Sequence, residues 1–141
     1  MRHGFTLPEL LSVIAIVGIV LSIATPPLGR ALDRAAVREG VDRFAALHAT
    51  TRQLAITRNA LARLEVDGVR HTATLSVQRS PTAWDSVGRY DLGSATITCS
   101  NPTTVFGPLG LGYGTSNTRV IFTRGAAADT VTTSRTGRLR R

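Results

Sequence analysis

The side chains best suited to chemistry stand at the two ends of this chain. Near the start, Glu9 is the single charge in a run from Phe5 to Ala24 that is otherwise almost wholly apolar. A carboxylate in such a run is costly to bury in lipid and needs a partner. Just before the run lies a short basic leader, Met1-Arg2-His3-Gly4, with a cleavage-like site between Gly4 and Phe5. Near the end, Arg135, Arg138, Arg140 and Arg141 crowd into the last seven residues. The chain's mean density, 17 basic residues in 141, would put only about 0.8 there. Arg138 and Arg140 alternate around Leu139, which sends both guanidiniums to one side of an extended backbone. Arg119 and Arg124, on or beside the preceding strand, extend that patch. Guanidiniums at this density suit phosphate, because each displaces condensed counterions and offers a bidentate fork.

Elsewhere the chain offers little chemistry. The nine acids are scattered, and no Ser/His/Asp, Cys/His or paired-carboxylate set stands out. We therefore expect no catalytic residue, no metal and no cofactor. His48 has no Cys, Asp or His at ligand spacing and reads as structural. The Gly-rich stretch Gly107 to Gly114 lacks the Lys-Ser/Thr of a phosphate cradle and reads as a loop. Pro102 disqualifies Asn101 as a glycosylation acceptor. Cys99 is the only cysteine, so no intramolecular disulfide staples the fold. The net charge is +8, with no Lys and a pI near 11.5. Such a balance points to an acidic partner, nucleic acid or an anionic surface, or to a genome that favours Arg codons.

Three elements must position these ends. Twenty residues from Phe5 to Ala24 rise about 30 Å as a helix, the thickness of a bilayer's hydrocarbon core. A secretory signal would be cut after its apolar stretch; here the site precedes it, so the stretch stays with the mature protein. Arg2 and His3 favour a cytoplasmic N-terminus and a C-terminal head on the far side. Thr25-Pro26-Pro27 and Gly29 predict a kink or a short melted stretch. An amphipathic helix then runs from about Leu28 to Asn59, with Val37, Val41, Phe44, Leu47, Leu54 and Leu61 on one stripe. Beyond it the period changes to two. Leu64 and Val66 alternate with Arg63 and Glu65, and Asp67-Gly68 supplies a hairpin turn. Val69, His71, Ala73, Leu75 and Val77 share a face of the return strand, and Arg79 to Gly93 reads as a loop. Ala95, Ile97 and Cys99 mark a further strand that buries Cys99. Val120 and Phe122 mark another, and after a turn at Gly125 a last strand runs from Asp129 to Ser134. One antiparallel sheet packed on the helix gives an α+β fold.

Gly4-Phe5-Thr6-Leu7-Pro8-Glu9-Leu10-Leu11 resembles the processing site of type IV pilins, G-F-T-L-x-E-L-L. The resemblance implies the type IV pilin fold and cleavage after Gly4 by prepilin peptidase, with N-methylation of the new Phe5 amine. It also gives Glu9 a partner, the Phe5 amine of a neighbouring subunit. Pro8 replaces the commoner Ile or Val and is tolerated in a first helical turn. The chain then divides into a leader (1–4), a membrane and assembly helix (5–24), an amphipathic half-helix (25–60) and a β head (61–141). Arg52, Ala55, Ile56 and Arg58 resemble the L-x-x-A-R-x-x-A-I-x-R segment of the GspH/FimT branch, with Thr51 in place of its usual Ala. Gly137-Arg138-Leu139-Arg140 matches G-R-x-R, found at the C-terminus of the FimT-like members. For those members the resemblance implies capture of extracellular DNA; for the GspH pseudopilins it implies a place near the tip of the type II secretion pseudopilus. Either way the implied partners are other pilin subunits and the bacterial inner membrane.

Overall fold

The computed structural model describes residues 6–114 and 117–141, the side chains of residues 23–27 excepted. Gly4 and Phe5 thus lie outside the described residues. Helix α1 (Leu7–Arg58) is followed by strands β1 (Ala62–Asp67), β2 (Thr72–Ser80), β3 (Ala83–Asp91), β4 (Thr96–Cys99), β5 (Thr103–Phe106), β6 (Thr118–Arg124), β7 (Ala127–Thr133) and β8 (Leu139–Arg140). The chain divides into two units, Met1–Leu32 and Asp33–Arg141.

In the first unit, Thr6 and Glu9 start the helix. The Glu9 N–H donates to the Thr6 carbonyl at 3.1 Å, and the Thr6 N–H reaches back to Glu9 Oε2 at 3.5 Å, the side-chain half of a capping box in a loose form. Pro8 sits in the first turn, where an amide would have no intrahelical acceptor. The apolar side chains from Leu7 to Leu21 are all exposed. Among the described residues no helix is long and apolar enough to cross a membrane. Their apolar part, Leu7 to Ser22, rises about 24 Å, short of the roughly 30 Å of a hydrocarbon core. Of the kink or short melted stretch expected at Thr25-Pro26-Pro27, the melted stretch is not found, for helical backbone runs through it. Proline withholds an amide but holds φ close to the helical value, so apolar turns on either side carry the helix across.

In the second unit, α1 buries Val37, Val41, Phe44 and Leu47, as the periodicity predicts. The stripe then continues through His48, Thr51 and Ala55, all buried, while Leu54 and Leu61 are only half-buried. Thr51 satisfies its hydroxyl by donating to the Leu47 carbonyl at 2.6 Å. The helix ends in a left-handed Asn59 (φ 48°), and the Ala60 N–H returns to the Ala55 carbonyl at 3.2 Å. Asparagine tolerates that conformation because its short side chain bonds locally.

Two four-stranded antiparallel sheets stand where one was expected, ordered β3-β2-β1-β5 and β4-β6-β7-β8. Leu64, Val66, Ala73 and Leu75 of the first and Ile97, Val120, Phe122 and Val131 of the second share one core with the helix stripe. Strand β3 replaces the expected loop at Arg79 to Gly93. Its residues are mostly exposed, so they show no apolar alternation, and backbone pairing to β2 defines it. The turn after β1 runs from Gly68 to His71, longer than the two-residue turn predicted. Asp67 Oδ1 accepts the N–H groups of Val69 and Arg70 at 3.0 and 2.9 Å, which leaves Val69 exposed and His71 at φ 55°. Cys99 lies on β4 but is half-buried rather than buried.

Gly40 lets the second sheet approach α1. A Cβ there would stand 2.7 Å from Phe122 Cδ1 and 3.1 Å from the Leu92 carbonyl oxygen. Helix propensity alone favours Ala over Gly by about 1 kcal/mol. We expect Gly40→Ala nonetheless to destabilise the head by about 1–2 kcal/mol through overpacking. Equilibrium denaturation checks the sign.

Candidate functional site

Gly4 and Phe5 fall outside the described residues; Glu9 does not. It is exposed in the first turn of α1, and among the described residues its carboxylate is held only by the long contact to Thr6. That leaves it available to a stronger cation.

The C-terminal motif lies on the hairpin from β7 to β8. The Ser134 N–H donates to the Arg138 carbonyl at 2.8 Å, the Gly137 N–H to the Ser134 carbonyl at 2.8 Å, and the Arg138 N–H to Ser134 Oγ at 3.1 Å. Gly137 has φ +78°, and a Cβ on it would stand 2.7 Å from Phe106 Cε1. The glycine of G-R-x-R is therefore a structural requirement of the turn. Leu139 packs against the core, and Arg140 is exposed beside it. Arg119 pairs in register with Thr132, and Thr132 with Arg140, so both arginines stand in one row on one face of the second sheet. Two strand spacings put their backbones roughly 10 Å apart. Arg138 and Arg135 are exposed on the turn, where the Arg135 N–H donates to Asn117 Oδ1 at 3.0 Å.

The structure separates the remaining two predicted residues from this group. Arg124 pairs with Asp33 of α1 at 3.3 Å and also donates to Ser94 Oγ. Arg141 pairs with Asp129 at 2.6 Å and Asp42 at 3.5 Å, which clamps the chain end to β7 and α1. Both spend their charge inside the fold. Among the described residues no carboxylate pairs with Arg52, Arg119, Arg135, Arg138 or Arg140.

A cleft of about 560 Å³ separates α1 from the C-terminal turn, lined by His48, Ala49, Arg52, Gln53, Ile56 and Gly137 to Leu139. His48 is only 4% exposed. Its ring meets Phe106 edge-on at 4.9 Å and Phe44 at 6.2 Å, and its buried Nε2 has no hydrogen-bond partner among the described residues. Burial, and after it the Arg52 cation, pulls its pKa down to about 4. Sequence reasoning missed this cleft, since its polar members look like an isolated histidine and a surface arginine one turn apart. Among the described residues no group of His, Cys, Asp and Glu could hold a metal.

Residues 1–25 match the prokaryotic N-terminal methylation motif. No curated protein sequence matches the chain. Among solved structures it is similar to the type IV minor pilin FimU of Pseudomonas aeruginosa, with 14% identity and a TM-score of 0.61 over 76% of this chain and 88% of that one. It is similar also to the minor pseudopilin EpsH from the Type 2 Secretion System of Vibrio cholerae, with 12% identity and a TM-score of 0.61 over 74% and 94%. Both are pilins rather than enzymes. The chain thus carries the N-terminal methylation motif of type IV prepilins on a type IV pilin fold.

The depressed pKa of His48 makes stability depend on pH. The unfolded chain takes up this proton near pH 6.5 and the folded chain only near 4. Stability from neutral His48 is therefore complete above pH 6.5 and falls away as the pH drops towards 4, by about 3 kcal/mol in all. Denaturation midpoints between pH 7 and 4.5 should fall more steeply for the natural chain than for His48→Gln.

Proposed function

We propose that this protein is a minor subunit of a type IV filament system, a pilus or a type II secretion pseudopilus. Prepilin peptidase cuts between Gly4 and Phe5, and the new Phe5 amine is methylated. Residues 5–24 hold the chain in the bacterial inner membrane with the N-terminus cytoplasmic and the head periplasmic. The observation that carries this reading is the methylation motif over residues 1–25, joined to a helix start whose apolar side chains from Leu7 to Leu21 are exposed and which bears one carboxylate, Glu9. In lipid, Glu9 is stabilised by the ammonium of Phe5 on a neighbouring subunit, which sets the register of each addition. The likenesses to FimU and EpsH have equal TM-scores, so the fold favours neither machine over the other.

A second reading is supported by the basic row. Arg140 and Arg119 share a sheet face, Arg138 and Arg135 stand on the adjoining turn, and none has a carboxylate among the described residues. On this reading the head binds extracellular DNA for natural transformation, through phosphates and with little sequence preference. Aromatics are only 5% of the chain, too few for base stacking to dominate. Gly137 shapes the turn, and Arg141, paired with Asp129 and Asp42, fastens the chain end beyond it.

Two experiments test these readings. Glu9→Ala should leave cleavage intact and remove the chain from sheared filament fractions; normal incorporation would refute the role given to Glu9. For DNA, the full chain in detergent micelles should bind a duplex with a log–log salt slope of about −2 to −4. Arg138→Gln with Arg140→Gln should abolish that binding, whereas an unchanged slope would remove DNA from the account.

A further inference from the structure

The cleft between α1 and the C-terminal turn has the makings of a binding site beyond both readings, sharing only Arg138 with the second. Its floor holds His48, nine-tenths buried, whose Nε2 lacks a partner among the described residues. A buried polar atom left unpaired is costly, and a docked group that reaches it recovers part of that cost. Its walls carry two guanidiniums, Arg52 and Arg138, that no carboxylate of the described residues neutralises. Arg52 is held in place by the loop after β5, for a Cβ on Gly110 would lie 3.1 Å from Arg52 Nε and 2.8 Å from Ile56 Cδ1. Ala49, Ile56 and Leu139 add apolar surface to its lining. Cationic walls, a polar floor and an apolar lining fit an anionic group with apolar neighbours. The volume, about 560 Å³, suits a side chain and its flanking peptide.

Charge identifies what can supply that group. Apart from Glu9, every acid of the chain already pairs with an arginine at 2.5–3.9 Å: Glu39 and Asp91 with Arg43, Glu65 with Arg63, Asp67 with Arg70, Asp85 with Arg79, Asp33 with Arg124, and Asp42 and Asp129 with Arg141. A second copy of the head offers only carboxylates that already face an arginine, and it carries the same excess of positive charge. Duplex phosphate suits the convex row of Arg119 and Arg140 better than a recess with a buried floor. We propose that this cleft docks an acidic side chain, flanked by apolar residues, from a neighbouring filament subunit of different sequence. The identity of the neighbour rests on the filament reading; the chemistry of the cleft does not. Arg52 and Arg138 grip the carboxylate through charge-assisted hydrogen bonds, and His48 Nε2 gains a partner from the docked segment.

The test uses the full chain in detergent micelles and a fluorescent blocked peptide, acetyl-Leu-Glu-Leu-Glu-Leu-amide, with its Gln counterpart as control. The Glu peptide should bind and the Gln peptide should not. Arg52→Gln and Arg138→Gln should each weaken binding about tenfold, while Arg140→Gln should leave it unchanged. Both cleft arginines are on the surface, so the variants are expected to fold. The nitrogen resonance of His48 Nε2, which should move on titration of the natural chain, gives a readout independent of any variant. Equal binding of both peptides, no binding, or competition by duplex DNA that depends on Arg52 would each overturn the proposal. In cells, Arg52→Gln should still be cleaved and methylated yet be depleted from filaments. Failure of cleavage would strike the filament reading, whereas cleavage with normal incorporation of Arg52→Gln would strike the docking site alone.

Discussion

Everything in the head depends on one helix stripe being buried by two sheets at once. Phe44 meets Phe122 of the second sheet at 6.2 Å, and His48, one turn on, meets Phe106 of the first at 4.9 Å. Gly40 lets the second sheet come close, and Ala55 lets Ala62 and Phe106 close a smaller core near the helix end. Helix packing of this kind supplies most of the stability that propensity cannot. It also puts the C-terminal turn in place, because Gly137 rests on the same Phe106 ring that covers His48. The buried histidine, the basic turn and the cleft between them follow from that packing.

A second constraint is charge. The chain has almost twice as many arginines as acids, and the head commits every acid it has to an internal pair. Exposed pairs of this sort add little stability each. Their consequence is selective: Arg124 and Arg141 become fasteners between sheet and helix, while Arg52, Arg119, Arg138 and Arg140 keep their charge for something outside the fold. A filament subunit must present one surface to its own helix and others to unlike neighbours, and this distribution suits that division.

Much of this was legible in the sequence. The methylation motif is readable at the N-terminus, and the 3.6-residue period ends at Asn59, within a residue of the observed helix end. Leu64, Val66, Val120 and Phe122 mark their strands because one face of each is buried. The rest was hidden for physical reasons. Strand β3 is exposed over most of its length, so no alternation betrays it, and β5 is too short to show a period. His48 and Thr51 belong to the buried stripe but are polar, which diverted the expected stripe towards Leu54 and Leu61. Two sheets rather than one is a matter of pairing, which periodicity does not encode. For the basic patch, counting arginines located it, but only the carboxylates folded beside Arg124 and Arg141 separate fasteners from free charges.

The central claim is that this chain is a processed filament subunit, and the mass of its mature N-terminus tests that most directly. Purified from cells that carry the filament machinery, the chain should lack Met1 to Gly4 and begin with Phe5 bearing one additional methyl group. A chain that keeps Met1, or one cut beyond Ala24, would contradict the account.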